Sequence, residues 1–222
     1  MSAAARDPER GSGAAPGATD TAESTDGAAP PFRVGQRSLP SWAETSRKRA
    51  EHVARVAETI ESFARAIGLP DRDVDRWSAA AWLHDALKDA KTSRLRELVA
   101  DDPELADLPD ALLHGPAAAE RARRDGIDDE ELLQAVTWHT SGHPDLGRIG
   151  RALYLADSLE PGRRDRDGRR ARLRERVLDG GEGAIDDALR DVLAERLEYL
   201  AASGKPIAPY TVRFYNRLVE EA

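Results

Sequence analysis

From Ser41 onward the apolar positions of this chain recur at spacings of three and four, the period of helices with one buried face. The first stripe is Val53, Val56, Ala57, Ile60, Ala64 and Ile67, and it stops at Gly68 and Pro70. Its start is expected at "SWAE", a capping box in which Ser41 accepts from the amide of Glu44 while Glu44 reaches back. A second helix is predicted over Asp73 to Lys88, and a third from Thr92 or Ser93. Further helices are signalled by Pro116 after Gly115, by "DDEE" at Asp128, by "RIGRALYLADSL" from Arg148 to Leu159 and by the pattern from Ala184 to Leu200. The last begins near Pro209 and carries Phe214 and Leu218. There is no series of alternating β-branched runs bounded by turns, and no internal repeat. The predicted fold class is all-α, a helical bundle.

Upstream the pattern changes. Met1 to Pro31 consists mainly of Ala, Gly, Pro, Ser and Thr, and no large apolar side chain occurs between Met1 and Phe32. Such a segment cannot bury enough surface to offset the entropy of ordering it. A disordered N-terminal extension is expected over residues 1–40, with a single folded domain over 41–222.

Composition narrows the chemistry. The chain has 222 residues, 40% of them hydrophobic, enough for a substantial core. Cysteine is absent, so disulfides, thiolate zinc sites and cysteine nucleophiles are excluded, and a metal would be held by nitrogen and oxygen. A net charge of -8 and a pI near 5.3 argue against a broad grip on nucleic acid or an anionic membrane, so a polyanionic ligand would need a local positive pocket. No apolar run approaches the roughly 18 residues of a membrane span, and a basic-then-apolar leader is not seen. The expected location is the cytoplasm.

Of five histidines, four occupy informative positions. His52 precedes Val56 and Ile60 by four and eight residues, which places it on the buried stripe. Ala81, His84, Asp85 and Lys88 share one face if the second helix runs through them. His139 follows Val136 by three and Leu132 by seven, and Asp157 follows Leu153 by four and Ile149 by eight. His114 closes "DALLHG" ahead of a helix expected from Pro116. One such histidine is ordinarily a hydrogen-bonded core residue. Several, together with two inward aspartates, would each cost about 1 to 3 kcal/mol if buried unpaired, and a divalent cation supplies the missing partner. Imidazole and carboxylate without sulfur suit iron, manganese, zinc or cobalt. His143 reads as a surface loop residue.

In chain order, His52, the His84-Asp85 pair, His114, His139 and Asp157 resemble the HD-domain metal-dependent phosphohydrolases. "RAEH" at Arg49–His52, "LHDALK" at Leu83–Lys88, "LLHGP" at Leu112–Pro116, "WHTSG" at Trp138–Gly142, "YLADSLEPGR" at Tyr154–Arg163 and "SGKPI" ahead of Tyr215-Asn216 are similar to the YqeK branch, the symmetrical diadenosine tetraphosphate hydrolases. The resemblance spans about residues 41 to 220. His143 stands where a basic residue is frequent in that branch, and Leu146 or a neighbour replaces a methionine. The resemblance implies an HD-domain bundle that splits the dinucleotide into two ADP with a metal-activated water. It implies that His52, His84, Asp85 and Asp157 hold the principal metal. His114 and His139 either complete a second site bridged by Asp85 or bind phosphate. His84, Asp85 and Lys88 are the implied catalytic residues. Arg49, Lys88, Thr140, Arg163 and Lys205 are the implied phosphate or nucleotide contacts.

The expected cofactor is one or two divalent transition metal ions, iron first and manganese or cobalt as alternatives. Two ions against Asp85 and Asp157 leave an excess of positive charge where a polyphosphate docks; with one ion, Arg49, Lys88 and Arg163 must supply it. The arginine-rich segment Arg163 to Val177 either extends the pocket or is a solvated helix face stitched by acids, the latter being preferred. Trp82 and Trp138 are assigned to core packing, with stacking on adenine as the other option. The expected partner is a small-molecule dinucleoside polyphosphate, with no nucleic acid and no membrane, and a homodimer is compatible with the sequence. Competing readings are an HD hydrolase of another nucleoside phosphate or a guanosine alarmone, and a non-catalytic nucleotide-binding module.

Overall fold

The computed structural model describes residues 30–222 apart from residue 182, so most of the expected disordered extension lies outside the described residues. Among the described residues ten α-helices follow one another: α1 (Arg47–Ala66), α2 (Asp71–His84), α3 (Thr92–Val99), α4 (Pro103–Ala106), α5 (His114–Arg124), α6 (Glu130–Trp138), α7 (Arg148–Leu159), α8 (Arg169–Gly180), α9 (Gly183–Ala202) and α10 (Pro209–Glu220). A 3-10 turn, Asp110–Leu112, precedes α5. No strand occurs among the described residues, as the hydrophobic period requires. No described helix is long and apolar enough to cross a membrane.

Helix α2 is the central post. Residues Trp77 to Ala81, Leu83 and His84 are all buried, and its run of alanines lets neighbours approach closely from more than one side. Helix α1 packs along it, α6 and α5 flank it, and α7 closes the group against both α1 and α6. Helix α9 covers α7, with α8 and α10 packed on α9, while α3 lies against α5. The stripe Val53, Val56, Ala57, Ile60 and Ala64 of α1 is fully or almost fully buried, as its spacing predicts. Helix α8 buries only Leu173 and Val177, and its arginines mostly meet carboxylates or carbonyl oxygens, consistent with a largely solvated face.

Four local features differ from expectation. Ser41 does not cap a helix: its hydroxyl donates to Pro30 O at 2.9 Å, and α1 is capped instead by Ser46, whose Oγ accepts from Arg49 N. Residues 30–40, placed in the tail by composition, pack on the domain, because Phe32 is a large apolar anchor that is 1% exposed. Helix α2 ends at His84 rather than Lys88: Ala86 O accepts from Glu44 N at 2.7 Å, and Asp89 N donates to Glu44 O at 3.1 Å, so an incoming segment takes groups the helix would have used. Helix α5 also starts two residues earlier than Pro116, at His114.

The strap that precedes α1 is held at Asp125. Its Oδ2 accepts from Phe32 N at 2.8 Å and from Trp42 Nε1 at 2.7 Å, and its Oδ1 pairs with Arg121. Burial works against the charge, but these three donors prevail and hold the carboxyl below its ordinary range. A group with a depressed folded pKa adds stability above its unfolded value and loses it as the pH falls through the folded value. Asp125→Ala strands two donors and is expected to cost about 2 to 3 kcal/mol in urea unfolding at neutral pH. The difference from wild type should shrink below about pH 4.

Candidate metal centre

Five elements deliver the predicted ligands to one place. His52 comes from the middle of α1, His84 from the last turn of α2, Asp85 from the residue that ends that helix, His114 from the first turn of α5, and His139 from the C-cap of α6. Asp157 is carried by α7. The four imidazoles form a chain of tilted rings, with centroids 5.6 Å apart for His52 and His84, 5.0 Å for His84 and His139, and 4.9 Å for His114 and His139. Two glycines make that closeness achievable. A Cβ on Gly115 would sit 2.7 Å from Val136 O and 3.1 Å from the His139 ring, so glycine lets the start of α5 press on the end of α6. Gly142, at φ +72, turns the chain after His139, and a Cβ there would meet the Phe214 ring of α10 at 2.4 Å.

The orientation of each ring follows from its other nitrogen. His84 Nδ1 is 2.6 Å from Ala81 O and His139 Nδ1 is 2.8 Å from Val136 O; both acceptors require a proton on Nδ1. His52 Nδ1 is 3.1 Å from Glu160 Oε1, and that carboxylate is itself held by Arg55 Nε at 2.6 Å. In all three rings the Nε2 lone pair is therefore left facing the centre. His52 Nε2 and His84 Nε2 are buried without a hydrogen-bond partner. Yet His52 Nε2 lies 3.0 Å from Asp157 Oδ1 and 3.8 Å from Asp85 Oδ2, and His84 Nε2 lies 3.6 Å from Asp85 Oδ2. Acceptors converging on acceptors is the geometry that a cation resolves.

On its other oxygen Asp85 faces the second pair. Oδ1 is 3.2 Å from His114 Nε2 and 3.6 Å from His139 Nε2, and these two nitrogens are 3.1 Å apart. Two sets can thus hold a metal ion, His52-His84-Asp85 and Asp85-His114-His139, with Asp85 common to both. Burial lowers the His84 pKa to about 4, and burial likewise lowers that of His114 to about 4, so both are neutral ligands at pH 7. Asp85 is held below the ordinary carboxyl range against burial, and the charged donor on it is Arg49, 2.8 Å from Oδ2. Asp157 is also held below its usual range against burial, with the Arg163 guanidinium donating to it. The donor set fits a divalent cation.

A cleft of about 660 Å³ opens above the centre. Arg49, Asp85, Lys88, His139, Thr140, Asp157 and Arg163 line its inner part, so most of the predicted contacts share one hollow. Arg49 donates to Asp85 Oδ2 at 2.8 Å, and Arg163 donates to the carboxylate and carbonyl of Asp157. Lys88 Nζ is 3.0 Å from His114 Nε2 and 3.9 Å from Asp85 Oδ1; burial lowers its pKa. It reaches this position through the turn after α2, not as a helical neighbour of His84. Thr140 Oγ1 is 2.9 Å from His139 Nε2.

Lys205 is not part of this lining; its Nζ donates to Tyr199 Oη, which is. His143 lies in the loop between α6 and α7, as expected, where it stacks on Trp138 at 4.9 Å and meets Tyr210 at 5.2 Å, apart from the ligand sets. Trp138 and Trp82 stay out of the cleft lining, in keeping with packing roles. The sequence reading missed Glu160 and Arg55, and also Tyr154, Arg196 and Tyr199 of the cleft lining, while Arg163, Arg164 and Arg170 in that lining follow the less-preferred alternative, that the arginine-rich segment extends the pocket. Glu160 lies inside the motif "YLADSLEPGR", three residues after Asp157 and just past the end of α7, and its place in that motif was the available signal.

The HD domain model matches residues 49–162, from Arg49 to the glycine after Pro161, more than half of the chain. The chain belongs to the HD-domain family. Its curated relatives include a protein of Halalkalibacterium halodurans named "Bis(5'-nucleosyl)-tetraphosphatase, symmetrical", 30% identical over 177 residues that make up 78% of this chain and 90% of the relative. A protein of Bacillus subtilis with the same name is 28% identical over 172 residues, 74% of this chain and 89% of the relative. Among solved structures, an HD-superfamily hydrolase from Clostridium acetobutylicum superposes with a TM-score of 0.68 at 24% identity, covering 80% of this chain and 92% of its own. That likeness establishes the fold.

Glu160 holds the proton-bearing edge of His52 without itself facing the centre. Glu160→Gln is expected to weaken metal retention about 10- to 100-fold, measured by competition with a chromogenic chelator, while the helical circular dichroism stays that of wild type.

Proposed function

We propose that this protein hydrolyses diadenosine tetraphosphate symmetrically to two molecules of ADP, with one or two divalent transition metal ions held by the sets that share Asp85. Iron is the first choice of metal, and manganese or cobalt suits the same donors. The observation that carries this reading is the charge of the cleft: six cationic side chains against three carboxylates, on a chain with a formal net charge of -8. Such a hollow draws in a polyanion against the field of the rest of the surface. The names of the relatives supply the class of polyanion.

When bound, the metal supplies Lewis-acid contact to a phosphoryl oxygen and lowers the pKa of water toward neutrality. The residues of this chain do the remaining work. His52, His84, His114 and His139 would serve as imidazole donors and Asp85 as the anionic donor common to both sets, with Asp157 beside His52. Asp85, kept ionised, orients the attacking water for in-line displacement at one of the two inner phosphorus atoms. The water oxygen ends on one ADP, and the central bridging oxygen leaves with the other. Arg49 and Lys88 stand beside Asp85, where they stabilise charge growing on the phosphoryl oxygens. Thr140 and Arg163 complete the inner phosphate contacts.

Incubation of the protein with diadenosine tetraphosphate and added ferrous iron, manganese or cobalt is expected to give ADP as the dominant product on chromatography. ATP with AMP as the main pair would reject symmetrical cleavage. His84→Ala is expected to lower the rate by more than about 100-fold; unchanged turnover would remove the catalytic reading altogether.

A further inference from the structure

The cations of the cleft divide into two groups. Arg49 and Lys88 stand against Asp85, Arg163 pairs with Asp157, and Arg170 reaches Glu195 at 3.4 Å. Arg164 and Arg196 line the same cleft and form no ion pair with any described residue. A cation left without a carboxylate in a chain so rich in acids is available to a ligand.

Arg196 belongs to a stripe. Val192, Glu195, Arg196 and Tyr199 fall at i, i+3, i+4 and i+7 of α9, and all four line the cleft. Tyr199 is 51% exposed and is the one aromatic residue among the exposed large hydrophobic side chains of the described residues. Its position is fixed from outside: Lys205 Nζ donates to Tyr199 Oη at 3.0 Å and lies 5.0 Å from the ring centroid. Helix α9 therefore offers a free guanidinium and a braced aromatic ring one turn apart, in the same hollow as the metal centre. A dinucleotide cut at its midpoint has two equal arms. The inner contacts described above serve the scissile phosphates, and the second arm still needs a cation for its phosphate and a flat surface for its base.

We propose that Arg196 and Tyr199 form the subsite for the outer nucleotide arm, Arg196 binding a phosphate of that arm and Tyr199 stacking on its base. This inference rests on the function proposed above. It makes the α9 stripe the determinant of preference for dinucleoside over mononucleoside polyphosphates, and it gives Lys205 the role of positioning Tyr199.

The test compares two substrates that share four phosphates, diadenosine tetraphosphate and adenosine 5'-tetraphosphate, using metal-supplemented full-length protein. In Tyr199→Leu the ratio of kcat/KM for the first to that for the second is expected to fall about tenfold, mainly through KM, since loss of one stacked base has this scale of effect. Tyr199→Trp, which keeps a stacking face, is expected to restore the ratio. Arg196→Ala is expected to raise KM for diadenosine tetraphosphate, with partial recovery in Arg196→Lys. An unchanged ratio in Tyr199→Leu, or an equal loss on both substrates, overturns the subsite while leaving the proposed hydrolase intact. Failure of the wild-type protein to release ADP from diadenosine tetraphosphate overturns both.

Discussion

Three buried imidazoles have their Nδ1 protons committed elsewhere, and the rest of the site depends on that constraint. Ala81 O, Val136 O and Glu160 fix the tautomer and the tilt of His84, His139 and His52, so each ring can offer only a lone pair at Nε2. Two of those lone pairs have no protein donor, and the nearest groups are carboxylate oxygens. Leaving buried acceptors in this state costs free energy of about 1 to 3 kcal/mol each. Packing alone would have favoured apolar residues at these positions. A centre that is frustrated by itself and satisfied by a cation is the economical explanation for six ionisable side chains in one core.

The backbone serves this constraint at a few points. The carbonyls that orient His84 and His139 lie three residues earlier on the same helices, so α2 and α6 must end where they do. At α2 the end is imposed by Glu44, whose amide and carbonyl bond to the turn that carries Asp85 and Lys88. At α6 the end is followed by a left-handed glycine, whose lack of a Cβ leaves room for the Phe214 ring of α10. The alanine run of α2 lets α1 and α6 approach from different sides, bringing His52 and His139 within ring contact of His84. Small residues are thus the counterpart of the ligands: they set how far apart the helices stand.

The legible parts of the sequence are those where periodicity and chemistry coincide. The buried stripe of α1, the extent of α7 and the inward placement of His52, His84, His139 and Asp157 follow directly from helical spacing. The turn after His84 was not legible, because "ALKDA" continues a good helical pattern and only a partner distant in sequence takes over its backbone groups. Ser41 and Glu44 match a capping box in type and spacing, yet Ser41 donates to Pro30 O and Glu44 uses its backbone elsewhere. The packing of Phe32 rests on Asp125, which is remote in sequence and carries no local signal. Tyr199 and Arg196 were hidden for a different reason: on a long helix with many charges, nothing local separates a residue facing a cleft from one facing solvent.

The distribution of charge in the cleft links its two ends. Arg49 and Arg163 bond to the same carboxylates that a cation would neutralise, so carboxylate and phosphate compete for the same guanidinium groups. A divalent ion held at the centre would weaken the hold of Asp85 and Asp157 on them and would leave those arginines freer to meet phosphate. Arg164 and Arg196 face no such competition among the described residues and present their charge whether or not the centre is filled. An approaching polyanion would therefore meet the unpaired outer cations first and the inner cations only as phosphate displaces carboxylate. Under the proposed function, attraction at the mouth and discrimination at the centre would fall to different residues of one hollow.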